Sequence, residues 1–180
     1  MFKKEHMDLL KLYAISPIHA GSGSSTGAVD LPIQRERHTN WPHIQASGVK
    51  GAMRAHFREM IDGAFPDPKR KDNTFEKLIF GTEDYQVEAD TGKKESCPGA
   101  ITISDAKLLA FPVRSNIAPF VWVTCPAVLA RLDRDLMMMG RKGIANLSAC
   151  KVEKGAAKCL AGEISGEVLL EDAVVNVGAG

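Results

Sequence analysis

The sequence predicts an α+β fold, because stretches with the patterns of strands and of helices follow one another along a chain of 180 residues. Two stretches repeat apolar residues at helical spacing, and others are short, apolar and rich in β-branched residues, as strands are. Glycine and proline separate these stretches where turns are expected. A chain of this length can form one sizeable core, so we predict a single domain over residues 1–180.

The composition is that of an ordinary globular protein. Hydrophobic residues make up 44% and charged residues 25% of the chain, which argues against disordered and fibrous classes. The net charge of +1 neither favours nor excludes nucleic acid, since a binding groove needs only local positive charge. The four cysteines form no CxxC pair, so we expect reduced thiols. No stretch has the pattern of a signal peptide or a membrane span, so we expect a cytoplasmic protein without a membrane partner.

The first half of the chain carries one strand and one long helix. Residues Met7–Ile15 are mostly aliphatic and end at a Ser-Pro pair, which predicts the first strand. After a glycine-rich loop, Ser47 is a good N-cap, and apolar residues then recur at helical spacing as far as Ile61. The helix is therefore predicted from Ser47 to Ile61.

Residues 63–98 are interpreted as an insertion. A short amphipathic helix is expected at Thr74–Phe80. The stretch Glu83–Ser96 is polar and mostly acidic, and we expect it to be mobile because such a composition buries too little apolar area.

The second half begins with two predicted strands and a helix. Residues Gly99–Ser104 alternate apolar and polar residues, as a half-buried strand does. Residues Phe120–Cys125 are aromatic and β-branched and predict a buried strand, with Trp122 in the core. Pro126 suits the first position of the helix that follows.

The last two apolar stretches, Glu167–Leu170 and Val174–Val177, have strand character. The elements then follow in the order strand, helix, strand, strand, helix, strand. This is the order of a ferredoxin-like (RRM-like) βαββαβ core, here with long loops and insertions.

The stretch from Ser16 to Arg58 has the composition of an anion-binding site. A Gly/Ser-rich loop leads to an isolated acid, Asp30, and then to a basic run that begins at Arg35. Backbone N–H groups near glycines can bind phosphates, and the helix start at Ser47-Gly48 adds the positive end of a helix dipole. Three basic residues spaced four apart form a stripe along the helix: Lys50, Arg54 and Arg58.

Each of these features also has a structural interpretation. Asp30 can pair with the arginines of its own loop, and Lys50 with Arg54 can form a solvated helix face. His19 can be an ordinary loop residue. The residues alone leave these alternatives open.

Five stretches of the chain resemble the RAMP superfamily of CRISPR proteins: SPIHAGSG, VDLPIQRERH, SGVKGAMR, ISDAKLLAFPVRS and WVTCPAVLARLDRD. Within that superfamily the chain is similar to the repeated backbone subunit of type III-B (Cmr) effector complexes. The match is ordered and runs from about Leu10 to Asp135. The resemblance implies an RRM-like core, and because such subunits are longer, we expect their C-terminal part to be absent here.

The resemblance implies an endoribonuclease that acts within a multi-subunit complex. Asp30 lies at the position of the aspartate with which the family cuts target RNA. The resemblance also implies a divalent metal, Mg²⁺ or Mn²⁺, with Asp30 as ligand. His19 is a second candidate for catalysis. The neighbouring ribose 2′-OH would be the nucleophile and a cyclic phosphate the product. The residues expected to bind RNA are His19, Gly21, Gly23, Arg35, Ser47, Gly48, Lys50, Arg54 and Arg114.

The implied partners are a guide CRISPR RNA, a single-stranded target RNA, other Cmr-type subunits and copies of the chain in a helical backbone. Two alternatives lie within the superfamily. One is a non-catalytic guide-RNA-binding scaffold with a structural Asp30, and the other is a metal-independent endonuclease that matures the guide precursor with His19 as base. A third is a ferredoxin-like domain without an RNA role, which the ultraviolet absorbance of the purified protein before and after nuclease treatment would distinguish.

Overall fold

The computed structural model describes residues 3–22, 32–64, 74–82, 86–87, 94–95 and 97–178. The chain divides into two compact units. A helical unit spans Ala14–Lys107, and a strand-rich unit is built from Met1–Tyr13 together with Leu108–Gly180.

The helical unit contains one long helix, one short helix and two short antiparallel ladders. Strand β1 (His43–Ile44) pairs with β4 (Ala106–Lys107), and β2 (Gln86–Val87) pairs with β3 (Lys94–Glu95). In chain order its elements are β1 (His43–Ile44), α1 (Ala46–Ala64), α2 (Thr74–Phe80), β2 (Gln86–Val87), β3 (Lys94–Glu95) and β4 (Ala106–Lys107).

Helices α1 and α2 pack through a small apolar contact. Val49 and Phe80 are buried, and the rings of Phe57 and Phe80 meet edge to face with their centroids 5.6 Å apart. The chain then passes very close to the end of α2. A Cβ on Gly99 would lie 2.5 Å from the carbonyl oxygen of Ile79, so this approach requires glycine.

The strand-rich unit contains a two-stranded hairpin, a three-stranded sheet and one helix. In the sheet, β9 (Ala173–Gly178) lies in the middle, parallel to β7 (Ala156–Lys158) and antiparallel to β8 (Gly166–Leu170). Val168 and Val177 are its buried side chains within the described residues. The elements are β5 (Phe111–Val113), β6 (Val121–Val123), α3 (Pro126–Met138), β7 (Ala156–Lys158), β8 (Gly166–Leu170) and β9 (Ala173–Gly178), with short 3₁₀ turns at Lys4–His6 and Leu147–Cys150.

Several elements confirm the local sequence patterns. Helix α3 begins at Pro126, where the missing N–H and the fixed φ of proline suit the first helical position. Cys125 before it is extended, and Val128 is buried. Helix α2 has the predicted bounds, and β6, β8 and β9 lie within one or two residues of their predicted places.

The predicted first strand at Met7–Ile15 is wrong. After the 3₁₀ turn these residues form no strand. Their side chains are largely exposed, with Leu10 at 56% and Tyr13 at 64%. A strand needs a neighbour to satisfy its amides and carbonyls, and none of the described segments pairs with this one.

The predicted strand at Gly99–Ser104 is also wrong, although its burial does alternate. Ile101 and Ile103 are half-buried, while Thr102 and Ser104 are exposed. The amides of Ala100 and Ile101 donate to the carbonyl oxygens of Leu78 and Ile79 at the end of α2, at 2.9 and 3.1 Å. The segment therefore satisfies carbonyls at a helix terminus instead of pairing with a strand.

Trp122 does not lie in the core as predicted, because 48% of its surface is exposed. Its ring belongs to an aromatic cluster on the hairpin. The ring centroids of Tyr13 and Phe120 lie 5.8 and 5.9 Å from that of Trp122.

The α+β class is confirmed. The described strands lie in sheets of two or three, so a βαββαβ sheet and a single domain stay predictions. Most of Glu83–Ser96 lies outside the described residues, apart from β2 and β3.

Candidate functional site

The described residues on either side of 23–31 are joined by hydrogen bonds. The Ser22 amide donates to Pro32 O at 2.9 Å, and the Gln34 amide donates to Ala20 O at 2.8 Å. Gly21 and Ile33 form an antiparallel bridge between these two arms. Gly23 and Asp30, two of the predicted site residues, lie outside the described residues.

Gln34 links this paired base to the segment that leads into helix α1. Its Nε2 donates to Gly21 O at 2.8 Å, and its Oε1 accepts from the Gln45 amide at 2.8 Å. Its backbone carbonyl accepts from the His43 amide at 3.2 Å. One residue therefore holds three backbone segments together, and we call this arrangement of Gly21, Gln34, His43 and Gln45 the Gln34 junction.

Helix α1 begins at Ala46 and is capped by a distant carboxylate. The Ala46 amide donates to Asp105 Oδ1 at 2.8 Å, across 59 residues of sequence. Ser47 is therefore the second residue of the helix and not its N-cap, so that prediction is wrong. The aspartate performs the N-cap role, and its negative charge suits the positive end of the helix dipole.

Ser47 and Gly48 are exposed in the first turn of α1. The Gly48 amide donates to Gln45 O at 3.0 Å. The amides of Ala46 and Gly48 are thus bonded within the chain, which reduces the number of donors at the helix start that an anion could use. Their predicted contact with RNA stays a prediction.

The basic stripe on α1 divides into two parts. Arg54 and Arg58 both donate to Glu76 Oε1, the latter at 2.6 Å, and Arg54 also donates to Gly81 O at 2.7 Å. The Arg54 side chain is 13% exposed and that of Glu76 is 4% exposed. The hydrogen bond from Arg58, assisted by Arg54, outweighs the effect of burial and lowers the pKa of Glu76.

Lys50, the first member of the stripe, is half-buried one turn before Arg54. Arg54 helps to fix α2 on α1 through Glu76 and Gly81. The sequence pattern alone did not reveal this structural contact. The contact of Lys50 and Arg54 with RNA stays a prediction.

His19 and Arg35 flank the paired base of the loop. His19 is exposed, and a Cβ on Gly21 would lie 3.9 Å from His19 Cε1, so the imidazole lies beside that glycine. Arg35 is exposed and donates from one terminal nitrogen to Asn40 O at 2.9 Å. Asn40 has a φ of 61°, so the arginine supports a left-handed turn.

Arg114 belongs to the strand-rich unit, where it pairs with Glu171. The guanidinium donates to Glu171 Oε2 from two nitrogens, at 2.7 and 3.1 Å. This hydrogen bond raises the pKa of Arg114 and lowers that of Glu171. The pair lines an open pocket of about 300 Å³ together with Ser115, Asn116 and Leu169.

The described residues contain no group of three or more His, Cys, Asp or Glu side chains that could hold a metal ion. Asp30 is not among them, so its role as a ligand stays a prediction. Across the described ranges, no helix is long and apolar enough to cross a membrane. None of the four cysteines, all within the described residues, forms a disulfide.

Sequence reasoning missed Gln34 and Asp105, although both lie in stretches that carry the family resemblance. An isolated aspartate before an apolar stretch is a recognisable candidate for a cap. Its partner could not be identified, because the hydrogen bond to Ala46 connects positions that are far apart in the chain.

Comparison with known proteins gives similar chains of greater length. The CRISPR system Cmr endoribonuclease Cmr4 of Pyrococcus furiosus is 40% identical over 136 residues, which are 74% of this chain and 40% of that protein. The crystal structure of oligomeric Cmr4 from the same organism matches 93% of this chain and 53% of its own, with 29% identity and a TM-score of 0.58.

A cryo-EM structure of a type III-B Cmr-beta complex in the apo state has a chain with a similar fold. It matches 93% of this chain and 57% of its own, with 24% identity and a TM-score of 0.64. The chain thus spans about half the length of these proteins.

The family comparison covers most of the sequence. A sequence model of the RAMP superfamily matches residues 11–164, which include the paired loop base, the Gln34 junction, α1 and Asp105. The chain therefore belongs to the RAMP superfamily.

Proposed function

We propose that the chain acts as a backbone subunit of a CRISPR type III-B effector that binds a guide RNA and cleaves the complementary target RNA. The observation that carries this proposal is the Gln34 junction. It brings together the arms of the glycine-rich loop and the start of α1, and so unites the motifs SPIHAGSG, VDLPIQRERH and SGVKGAMR. The similarity to a protein named as a Cmr endoribonuclease supports the same function.

In this proposal the guide is held through its phosphates and not through its bases. Lys50 in the second turn of α1 supplies a positive charge, and His19 and Arg35 lie exposed at the loop base. Such contacts do not depend on sequence, so base pairing with the guide selects the target, as in other guided systems. We propose that Asp30 acts on the target strand.

The chemistry proposed for the cut is attack by the ribose 2′-OH on the adjacent phosphate. The protein contributes by holding the reacting groups in line and by placing charge beside them. His19 is a second candidate for proton transfer, because it is exposed beside Gly21 at the base of the loop.

A requirement for Mg²⁺ or Mn²⁺ belongs to the proposal as a separate element. The described side chains do not by themselves form a metal site. In the proposal, Asp30 is the residue of this chain that would hold the ion. Removal of divalent ions with a chelator tests this element directly. We expect cleavage to stop, whereas undiminished cleavage in the chelator would refute the metal requirement and leave Asp30 as a candidate acid or base.

The proposed partners are a guide RNA, a single-stranded target RNA, companion Cmr-type subunits and further copies of this chain. The similarity to the crystal structure of oligomeric Cmr4 supports assembly with further copies of this chain. We also propose that the fold is ferredoxin-like.

The decisive experiment compares Asp30→Asn with the wild type in a complex assembled with guide RNA and companion subunits. Asparagine keeps the size of the side chain but loses its charge, so we expect target cleavage to be abolished and guide binding to stay within a few-fold of wild type. Asp172→Asn, in the exposed turn between β8 and β9, is the matched control.

The outcomes separate the alternatives. Unchanged cleavage by Asp30→Asn would remove Asp30 from the reaction. Loss of assembly would make the aspartate structural and favour the non-catalytic scaffold. Cleavage of a guide precursor by the free chain in the presence of a chelator would favour the metal-independent maturation enzyme.

Guide binding is tested separately with Lys50→Glu. We expect weaker binding to unrelated RNA sequences by a similar factor, and a flatter dependence on salt, because a phosphate contact releases counterions. Lys142→Glu, at an exposed position after α3, is the control. Arg54→Glu is unsuitable, since it would place a second carboxylate beside Glu76 and disturb the fold.

A further inference from the structure

The Gln34 side chain uses both ends of its amide at once. The NH₂ group donates to the carbonyl of Gly21 on one arm of the loop, and the oxygen accepts from the amide of Gln45 before α1, each at 2.8 Å. A glutamine side chain offers a donor and an acceptor on one planar amide. A glutamate offers only acceptors when ionised, and a methionine forms no strong hydrogen bond.

Backbone bonds already join one arm of the loop to the segment before α1, since the His43 amide donates to Gln34 O at 3.2 Å and Arg35 forms a bridge with Pro42; the Gln34 side chain adds the connection between Gly21 and Gln45. The bonds between Ser22 and Pro32 and between Gln34 and Ala20 join the two arms of the loop to each other. Pro32 has no N–H and cannot donate, which limits the ladder at this point. The side-chain bonds of Gln34 therefore connect the loop base to the residue that precedes Ala46.

We propose that Gln34 is a positioning residue for the cut, which fixes the base of the loop that contains Asp30 relative to the first turns of α1. This inference rests on the function proposed above. Gln34 lies four residues after Asp30 in sequence, and Lys50 lies four residues after Ala46. The junction therefore links the described base of that loop to the helix that carries Lys50.

The test uses two variants with different effects on the junction. Gln34→Glu keeps an acceptor for the Gln45 amide but places a carboxylate oxygen against Gly21 O, whereas Gln34→Met removes both bonds. Gln45→Ala is the control, because the Gln45 side chain makes only a 3.5 Å contact with Gln34 Nε2, whereas the bond to Gln34 Oε1 comes from the Gln45 backbone amide, which alanine keeps.

The first measurement is amide hydrogen exchange in the free protein, without RNA. We expect Gln34→Glu to increase exchange at the Ser22 and Gln34 amides about fivefold to tenfold, the size expected from the loss of one hydrogen bond. Gln34→Met should also increase exchange at the Gln45 amide, while Gln45→Ala leaves Ser22 and Gln34 within about twofold. Unchanged exchange in both Gln34 variants would overturn the inference.

The second measurement is cleavage by the assembled complex. We expect both Gln34 variants to cut more slowly than wild type with unchanged guide affinity. Wild-type cleavage rates in both Gln34 variants would overturn the positioning role while the proposed function stands. If the wild-type complex does not cut at all, the proposed function fails, and the exchange comparison alone decides whether Gln34 holds the junction.

Discussion

Two arginine–carboxylate clusters, one in each unit, place the same chemical groups in different surroundings. In the helical unit, Glu76 is 4% exposed and binds both Arg54 and Arg58. In the strand-rich unit, the side chains of Arg114 and Glu171 are 81% and 45% exposed. Water stabilises the separated charges of the second pair nearly as well as the partners do, whereas the first cluster must satisfy its charges within the chain.

The difference shows why spacing alone does not identify a binding surface. Arg54 and Lys50 have the same sequence spacing on α1 that a phosphate-binding stripe would have, but Arg54 is committed to Glu76 and Gly81. Arg114 lacks such burial, and its guanidinium stays accessible while it pairs with Glu171. We therefore expect the first cluster to determine stability and the second to have little effect on it.

The largest effect should come from Glu76→Gln. This substitution leaves the largely buried Arg54 beside a neutral amide, and breaking a buried pair in this way costs about 3 kcal/mol of unfolding free energy. Chemical denaturation of the variant and the wild type measures it. The exposed Glu59 on α1, the helix that carries Arg54 and Arg58, provides the control Glu59→Gln, which should change stability by less than about 0.5 kcal/mol.

A second effect is the dependence of this difference on pH. Because Arg58 and Arg54 lower the pKa of Glu76 below its usual value of 4.5, the folded protein takes up that proton less readily than the unfolded chain. The stabilisation is fully present above 4.5 and is lost as the pH falls through the lower folded pKa. The stability gap between wild type and Glu76→Gln should narrow in acid, and a gap that stays constant there would contradict the assignment.

The smallest effect should come from Glu171→Gln. Both side chains of this pair face water, so we expect the midpoint of thermal unfolding to stay within experimental error of wild type at low and at high salt. Scanning calorimetry at two salt concentrations checks this. A loss as large as that of Glu76→Gln would mean that exposure does not separate the two clusters.

Local patterns were sufficient for elements that depend on their own residues. Pro126 and the apolar repeat after it predict α3, and the helical repeat from Val49 onward predicts most of α1. The stretches Met7–Ile15 and Gly99–Ser104 failed because a strand exists only beside another strand, and composition does not reveal that neighbour. Such elements depend on contacts between distant residues.

The same limit applies to the candidate site. Helical periodicity shows which residues share a face of α1, but it does not show that Glu76 lies opposite Arg54 and Arg58. The motif VDLPIQRERH contains Gln34, but its spacing does not show the bonds of that side chain to Gly21 and Gln45.

The bridge between Gly81 and Pro98 separates the chain between them from the segment that carries Asp105, the cap of α1. Because Gly81 and Pro98 are paired with each other, an insertion at a position between them lengthens the chain that this bridge closes and not the path from α1 to Asp105. Closing a loop of twice the length costs only about 0.6 kcal/mol of chain entropy. A fluorescent or affinity module inserted within residues 88–93 would therefore label the protein while the hydrogen bond from Ala46 to Asp105 is retained.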